Sequence, residues 1–243
     1  KPSLIGQELS YPGFFLGPLH NWIQIIPYSA CNLKPDCVAY FFTTIGLLSA
    51  YFLYITIKEA INPKTAVIST LLYLMSYVVI GNERGPSSNY FLLPTSIFML
   101  FCLNKYYQGE KKYLIAGSFF GGLAVINFNP VFIFTLIAYL ICALFTHKRK
   151  IILLIISVLA SLINIIPLLI FNYRHQDLLF NNLTKFLRET NSTDDIFTKP
   201  FFITKNIVLP YYNNFLFLNN NIIYLITTFC ILTVGSYLIL KNR

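Results

Sequence analysis

Charge is what this chain has least of. Only 11% of its 243 residues are Asp, Glu, Lys or Arg, while 56% are hydrophobic. Soluble domains carry about 25% charged residues, so this balance excludes an ordinary soluble domain and points to a polytopic membrane protein. Methionine is almost missing: Met75 and Met99 are the only two, and residue 1 is Lys. No apolar leader follows Lys1, so no signal peptide is read, and the chain is expected to begin mid-protein after an upstream segment. There are three histidines and five cysteines, none at metal-binding spacing. Nucleophile elbow, P-loop and Rossmann glycine patterns are also lacking, and no spacing nominates a Ser/His/Asp site. Acids are outnumbered, with nine against eighteen basic residues. That excess could suit nucleic acid, but the basic residues stand in short clusters between apolar runs, as in membrane proteins. The partner read from the charge is therefore the membrane, with no nucleic acid.

What is present is a series of apolar runs. A helix needs about 20 apolar residues to cross about 30 Å of hydrocarbon. Val38–Ile57 meets that length without a charge, and Lys58 and Glu59 stop it. Thr65–Ile80, Tyr90–Leu103 (interrupted by Pro94), Tyr113–Phe128, Val131–Thr146 and Ile151–Phe171 read as five further spans. Gly117 and Gly121 have the spacing that lets helices approach closely, although they could equally loosen the helix. Leu178–Leu187 carries helical periodicity and reads as a surface helix. Phe201–Leu218 is read as interfacial or re-entrant, and Ile222–Leu240 is a final span. The expected fold is all-α: a polytopic membrane protein of about seven transmembrane helices plus an interfacial juxtamembrane helix. One membrane domain covers 1–243, with an external loop and juxtamembrane helix over 1–37 and six spans over 38–171. A second external loop covers 172–221, and the last span 222–240.

The juxtamembrane segment is Gly13–Pro27. It is apolar and carries Trp22, yet it is too short and too polar to cross, with His20, Asn21, Gln24 and two prolines. Alternating spans put ten basic and two acidic residues on one side, including Lys58, Lys105, Lys112 and Arg149, and eight basic with seven acidic residues on the other. The first side is read as cytoplasmic. The Gly13–Pro27 segment, the Glu83-Arg84 loop, the Asn127–Pro130 turn and Arg174-His175 then share the outer face. Cys31 and Cys37 flank an outer loop. They could pair in an oxidising compartment, but two free thiols is the preferred reading.

Ionisable groups at the ends of spans are costly near hydrocarbon and are candidates for function. Arg84, beside Glu83, could bind a phosphate through its planar donor fork or simply anchor the interface. Arg174 and His175 could contact the same anion or mark the membrane boundary. His20 is read as a donor facing a cavity, with an interfacial ring as the alternative. Glu8 is the one carboxylate upstream of the interfacial segment that could serve as a general base.

The order Gly6, Pro12-Gly13-Phe14-Phe15-Leu16-Gly17-Pro18-Leu19-His20-Asn21-Trp22, Pro27 resembles the first external loop of polyprenyl-phosphate-sugar-dependent glycosyltransferases of the GT-C fold. These are relatives of protein O-mannosyltransferases and lipid A aminoarabinose transferases. Glu83-Arg84, Asn89–Pro94, Lys111–Gly117 and Pro167–His175 are similar to later parts of that pattern. The resemblance covers roughly residues 6 to 190. It implies transfer of a sugar from a polyprenyl-phosphate donor to a glycan, lipid or protein acceptor on the outer face of the membrane. A carboxylate base would activate the acceptor hydroxyl, which attacks with inversion. Arg84 or Arg174 would stabilise the departing lipid phosphate, and Glu83, His20 and His175 would join them around the donor cavity. The lipid-linked sugar is a substrate and no cofactor is implied; a divalent metal has no ligand set to support it. The family's catalytic Asp lies upstream of the Gly-Pro-Leu triplet, but no Asp precedes Asp36 here. The base is therefore expected upstream of Lys1, with Glu8 as the alternative. A bacterial plasma membrane is the expected location. The rival readings are an envelope-polysaccharide polymerase or ligase, and a transporter of lipid-linked sugar. The transporter would more often show an internal repeat or a charged residue at mid-span, and neither is seen.

Overall fold

Apolar runs of this kind become helices because a helix satisfies its backbone polar groups within the segment. The computed structural model of the chain describes residues 3–8, 15–76, 79–81, 87–144 and 151–189. Its helices are α1 (Leu19–Ala30), α2 (Pro35–Ala60), α3 (Pro63–Leu74), α4 (Leu92–Tyr107), α5 (Lys112–Asn127), α6 (Ile133–Leu144), α7 (Ile151–Leu162), α8 (Ile166–Arg174) and α9 (Leu178–Glu189). Short 3-10 turns, Ser88–Phe91, Pro130–Phe132 and Ile163–Ile165, lead into α4, α6 and α8. Among the described residues there is no strand, only an isolated antiparallel bridge between Glu8 and Phe15. The all-α expectation therefore holds for these residues.

Local chemistry sets the boundaries. α2 opens on Pro35, whose ring presets the first helical dihedral, and has Asp36 in its first turn and Lys58 in its last. Both charges complement the helix dipole. Asn62 caps α3 by accepting the Thr65 amide at 2.8 Å. Pro94 does not interrupt its span as the sequence reading had it. It falls in the first turn of α4, where an amide has no intrahelical partner to lose, and the helix runs on to Tyr107. Pro167 does mark a break: the 3-10 turn Ile163–Ile165 separates α7 from α8. Asn164 in that turn donates to the Phe119 carbonyl at 3.0 Å and to that of Ser161 at 3.2 Å. The expected surface helix is present as α9, Leu178–Glu189.

Two stretches are long and apolar enough to cross a membrane: α2 with 26 residues, and the broken helix Ile151–Arg174 with 24. α5 and the stretch Pro130–Leu144 are apolar but shorter. Of the expected seven spans, two therefore have full crossing length among the described residues. Phe201–Leu218, Ile222–Leu240 and the rest of 190–243 lie outside those residues. Much of the apolar surface points outward, as on α2 (Tyr40, Leu47, Leu48, Tyr51) and α7 (Ile151, Ile152, Ile155, Leu159). A continuous face of that kind suits lipid contact better than water.

The described helices belong to one unit, Lys1–Met75 with Val79–Glu189. α5 is its centre and packs against α4, α6 and α7, while α2 packs against α1, α3 and α4. Small residues on α5 make this possible. A Cβ on Gly122 would meet the backbone of Ser161 on α7, with its Cα only 2.6 Å away. Gly121 faces Met99 of α4 and Leu136 of α6, and Gly117 faces Cys102 of α4 and Tyr139 of α6. These glycines therefore serve close helix approach, not loosening. Aromatic edges fill the α2–α4 contact, with Phe52 5.4 Å from Phe98 and 5.0 Å from Phe101 between ring centroids.

At one end of the unit Glu59 ties α2 to α4. Its carboxylate accepts from Asn104 Nδ2 at 3.0 Å, Lys105 Nζ at 2.8 Å and Gln108 Nε2 at 2.9 Å. The hydrogen bond from Lys105 and then that from Gln108 hold the Glu59 carboxyl below its ordinary range, and the same pair raises Lys105. Near the same end of α4, the Tyr107 hydroxyl donates to the Cys142 carbonyl of α6 at 2.8 Å.

Two outcomes follow for stability. Gly122→Leu forces α5 and α7 apart and destabilises the folded protein by about 1–3 kcal/mol, measurable as a lower thermal midpoint in detergent. Glu59→Gln lowers the midpoint less, because the pair is solvent-exposed and screened. Since the folded Glu59 carboxyl lies below its ordinary value of 4.5, its contribution is present above that pH. It is lost as the pH falls through the lowered value. The difference between wild type and Glu59→Gln should therefore vanish in acid.

Candidate functional site at the α1 end

The opposite end of the unit begins with a short antiparallel pairing. The Gly6 amide donates to the Leu16 carbonyl at 2.7 Å, and the Leu16 amide to Gln7 at 2.9 Å. This brings Glu8 opposite Phe15 and delivers the chain into Gly17-Pro18-Leu19. Leu16, Gly17 and Pro18 are buried. The Gly17 amide donates to the Ile126 carbonyl at 2.8 Å, and the Leu19 amide to Asn127 Oδ1 at 3.2 Å. Both acceptors belong to the last turn of α5. α1 starts there and runs through Pro27 to Ala30. The Trp22 indole N–H donates back to the Ser3 carbonyl at 3.1 Å.

His20 sits one residue into α1 and is buried. Its Nε2 lies 3.0 Å from the Gln24 side-chain amide, one helical turn on. The ring meets Phe91 edge-on at 6.0 Å. Phe91 stacks on Phe128 at 4.6 Å and packs against Phe42 at 5.3 Å. Beyond Phe42, the Tyr90 hydroxyl donates to the Phe42 carbonyl. His20 is therefore a buried polar group on an aromatic wall.

A second cluster joins the end of α8. Phe15 lies 6.4 Å from Phe171, and His175 stacks on Phe171 at 4.0 Å. The His175 Nδ1–H donates to the Phe171 carbonyl at 2.9 Å. The turn that follows has Gln176 and Asp177 in the left-handed region. It is held by Asn172, which donates to Asp177 Oδ1 at 2.8 Å and accepts the Leu179 amide at 2.9 Å. Arg174 is exposed in the last turn of α8, where a cation complements the helix dipole.

Of the residues selected from sequence, the structure joins Glu8, through its bridge partner Phe15, to the Phe171-His175 stack. His20 belongs to the neighbouring Phe91 cluster, and one stretch, Phe15–Leu19, connects the two. Glu83 and Arg84 lie outside the described residues. Among the described residues no three His, Cys, Asp or Glu side chains gather as metal ligands. Sequence reasoning passed over Asn127 and Asn129, taking Asn127–Pro130 only as a reversal. Two asparagines around an aromatic residue before a proline were the available signal.

The free-thiol reading of Cys31 and Cys37 is overturned, because the two form a disulfide. Asn32 and Leu33 both take positive φ, 51° and 64°. The reversal brings the two cysteine Cα atoms to 6.2 Å, within bridging range. Leu is a poor residue for that conformation, and the bridge helps to hold it. Beside this turn an apolar groove is lined by Ile25, Tyr28, Ser29 and Leu33.

A family profile described as dolichyl-phosphate-mannose-protein mannosyltransferase matches residues 16–171, more than half of the chain. The match begins at the Leu16 anchor and ends at Phe171, so it takes in the His20–Phe91 cluster and Phe171, while Glu8, Phe15, Arg174 and His175 lie just outside it. No curated protein and no solved structure matches the chain.

The bridge is open to direct chemical test. Alkylation of the unreduced protein should modify exposed Cys142 and leave Cys31 and Cys37 untouched until a reductant is added. Peptide mass spectrometry reads both states, and labelling of Cys31 or Cys37 without reductant would rule the bridge out. Closing so short a loop contributes about 2 kcal/mol by restricting the unfolded chain.

Proposed function

Because this chain belongs to the dolichyl-phosphate-mannose-protein mannosyltransferase family, we propose that it transfers a sugar from a polyprenyl-phosphate-linked donor to an acceptor on the outer face of the membrane. The family is one of membrane glycosyltransferases that use a lipid-linked sugar. The observation that carries the finer reading is the α1 end itself, where the family match begins on a half-polar helix seated against an aromatic wall. His20 and Gln24 would meet the polar head of the donor there. Arg174 and His175, with Arg84 and Glu83, would surround its phosphate. Preorganised cations and donors in a site shielded from water favour departure of a lipid phosphate as negative charge develops on it. The acceptor hydroxyl would attack the anomeric carbon and pass its proton to a carboxylate, with inversion at that carbon.

Two independent features support the orientation. Short basic stretches crowd one side of the alternating spans, which favours that side as cytoplasmic. The Cys31–Cys37 bridge closes the turn between α1 and α2, and disulfides persist in oxidising compartments. Both favour an outward α1. The seven-span arrangement and the single membrane domain over 1–243 belong to the same proposal. No Asp, Glu, Lys or Arg stands inside the apolar part of any described helix, which favours a transferase over an ion-coupled transporter.

The test is mannose transfer from polyprenyl-phosphate mannose by membranes carrying the full-length protein. His20→Ala, Arg84→Ala and Arg174→Ala should each reduce turnover, by about 10²-fold where a donor to the leaving phosphate is lost. Lys185→Ala on α9 should leave it unchanged. Full turnover in all three variants would remove these residues from the site, and an equal loss in Lys185→Ala would show that the effects are nonspecific.

A further inference from the structure

We propose that the turn Asn127-Phe128-Asn129 is a positioning element of the donor site, in which Asn127 caps α1 from another helix and so fixes His20. This rests on the reading of α1 as a wall of that site. The need for an outside cap is built into the sequence. The residue before α1 is Pro18, which offers no capping side chain and makes no cap hydrogen bond. The first amides of a helix have no partner within it. Asn127 Oδ1 accepts the first of them, Leu19 N–H, at 3.2 Å. The same problem in reverse exists at the end of α5, whose last carbonyls lack intrahelical donors. There the Gly17 amide supplies Ile126 at 2.8 Å. Two helix ends of opposite polarity thus satisfy one another, and their dipoles attract.

The fit leaves no slack. Asn127 is buried, and its Nδ2 donates to the Leu123 carbonyl at 3.1 Å, so both halves of the amide are used. A Cβ on Gly17 would collide with Asn127 Oδ1, so glycine is needed at that position. The next two residues extend the junction. Phe128 stacks at 4.6 Å on Phe91, the ring that also touches His20. Asn129 Nδ2 donates to Asn89 Oδ1 at 3.0 Å, while Asn129 Oδ1 accepts the Val131 amide at 3.0 Å. Asn89 stands five residues after Arg84 in sequence. Three consecutive residues therefore hold the start of α1, the ring beside His20, and Asn89 in the turn that leads into α4.

The experiment uses the full-length protein in lipid nanodiscs, with hydrogen exchange across Leu19–Ile23 and donor kinetics with polyprenyl-phosphate mannose. Asn127→Leu should speed exchange there about tenfold, the usual effect of losing a helix cap. It should raise the KM for the donor while changing kcat little. Asn127→Asp keeps an acceptor for Leu19 and should restore both quantities towards wild type. Should Asn127→Leu fail to fold, Gly17→Ala tests the same contact from the other side, with the same two effects expected. Unchanged exchange in Asn127→Leu or Gly17→Ala, or no rescue by aspartate, would overturn the cap. Faster exchange with an unchanged KM would overturn the positioning role and leave the family reaction standing. No transfer by the wild type, with exchange responding as expected, would overturn the proposed reaction and not the cap.

Discussion

Everything in this unit depends on how closely α7 can lie against α5. At Gly122 the two backbones come so near that no side chain fits between them. That contact leaves α5 at the centre, with α4 and α6 drawn in around Gly117 and Gly121. Without a hydrophobic driving force between helices in lipid, close backbone packing is one of the few sources of association available. Bulky residues are then placed where they fill the remaining space, as with Met99, Leu136 and Tyr139 opposite the glycines. The α1 end inherits its geometry from this arrangement, since α1 is hung on the last turn of α5.

The two ends of the unit are held by different chemistry. At one, a single carboxylate gathers a cation and two amide donors. At the other, the contacts that hold α1 are neutral: amides, carbonyls and stacked rings. Charge at the first end is compatible with contact with water, and α2 and α4 remain tied there through flexible side chains. The second end relies on groups that cannot adjust their length, such as Gly17 backbone against Ile126 backbone. Rigid neutral contacts suit an element meant to hold one orientation beside a substrate.

Much of this was legible in the chain. Charge-free runs gave the helices, and Gly117 with Gly121 gave the possibility of close packing. Ile151–Phe171 reads as one span, and the break at Ile163–Ile165 shows only in the structure, where Asn164 donates to the Phe119 and Ser161 carbonyls. Pro94 misled, since the helix begins only two residues earlier and the first turn tolerates proline. The bridge between Cys31 and Cys37 could not be derived, because it depends on Asn32 and Leu33 both entering the left-handed region. Nothing in their side chains requires that of Leu33. Asn127 escaped for a related reason. Its role is to cap a helix 108 residues away in sequence, and capping patterns are legible only when both partners are close in the chain.

The length of α5 carries one more consequence. Sixteen residues cover about 24 Å, short of the roughly 30 Å of hydrocarbon in a typical bilayer. With exposed Lys111 and Lys112 at the aqueous boundary, as the proposed arrangement has them, the deficit would fall at the other end. Hydrophobic mismatch of this kind is met by thinning of the bilayer, by snorkelling of flanking residues or by association with other helices. In the proposed arrangement the start of α1, hung on the last turn of α5, would lie below the level of the surrounding headgroups. A lipid-borne phosphate reaching His20 would travel inward along the protein while its prenyl tail stayed among the acyl chains. Under the proposed reading, the shortness of one helix would thus offer a shallow point in the membrane at the place where a lipid-linked donor is received.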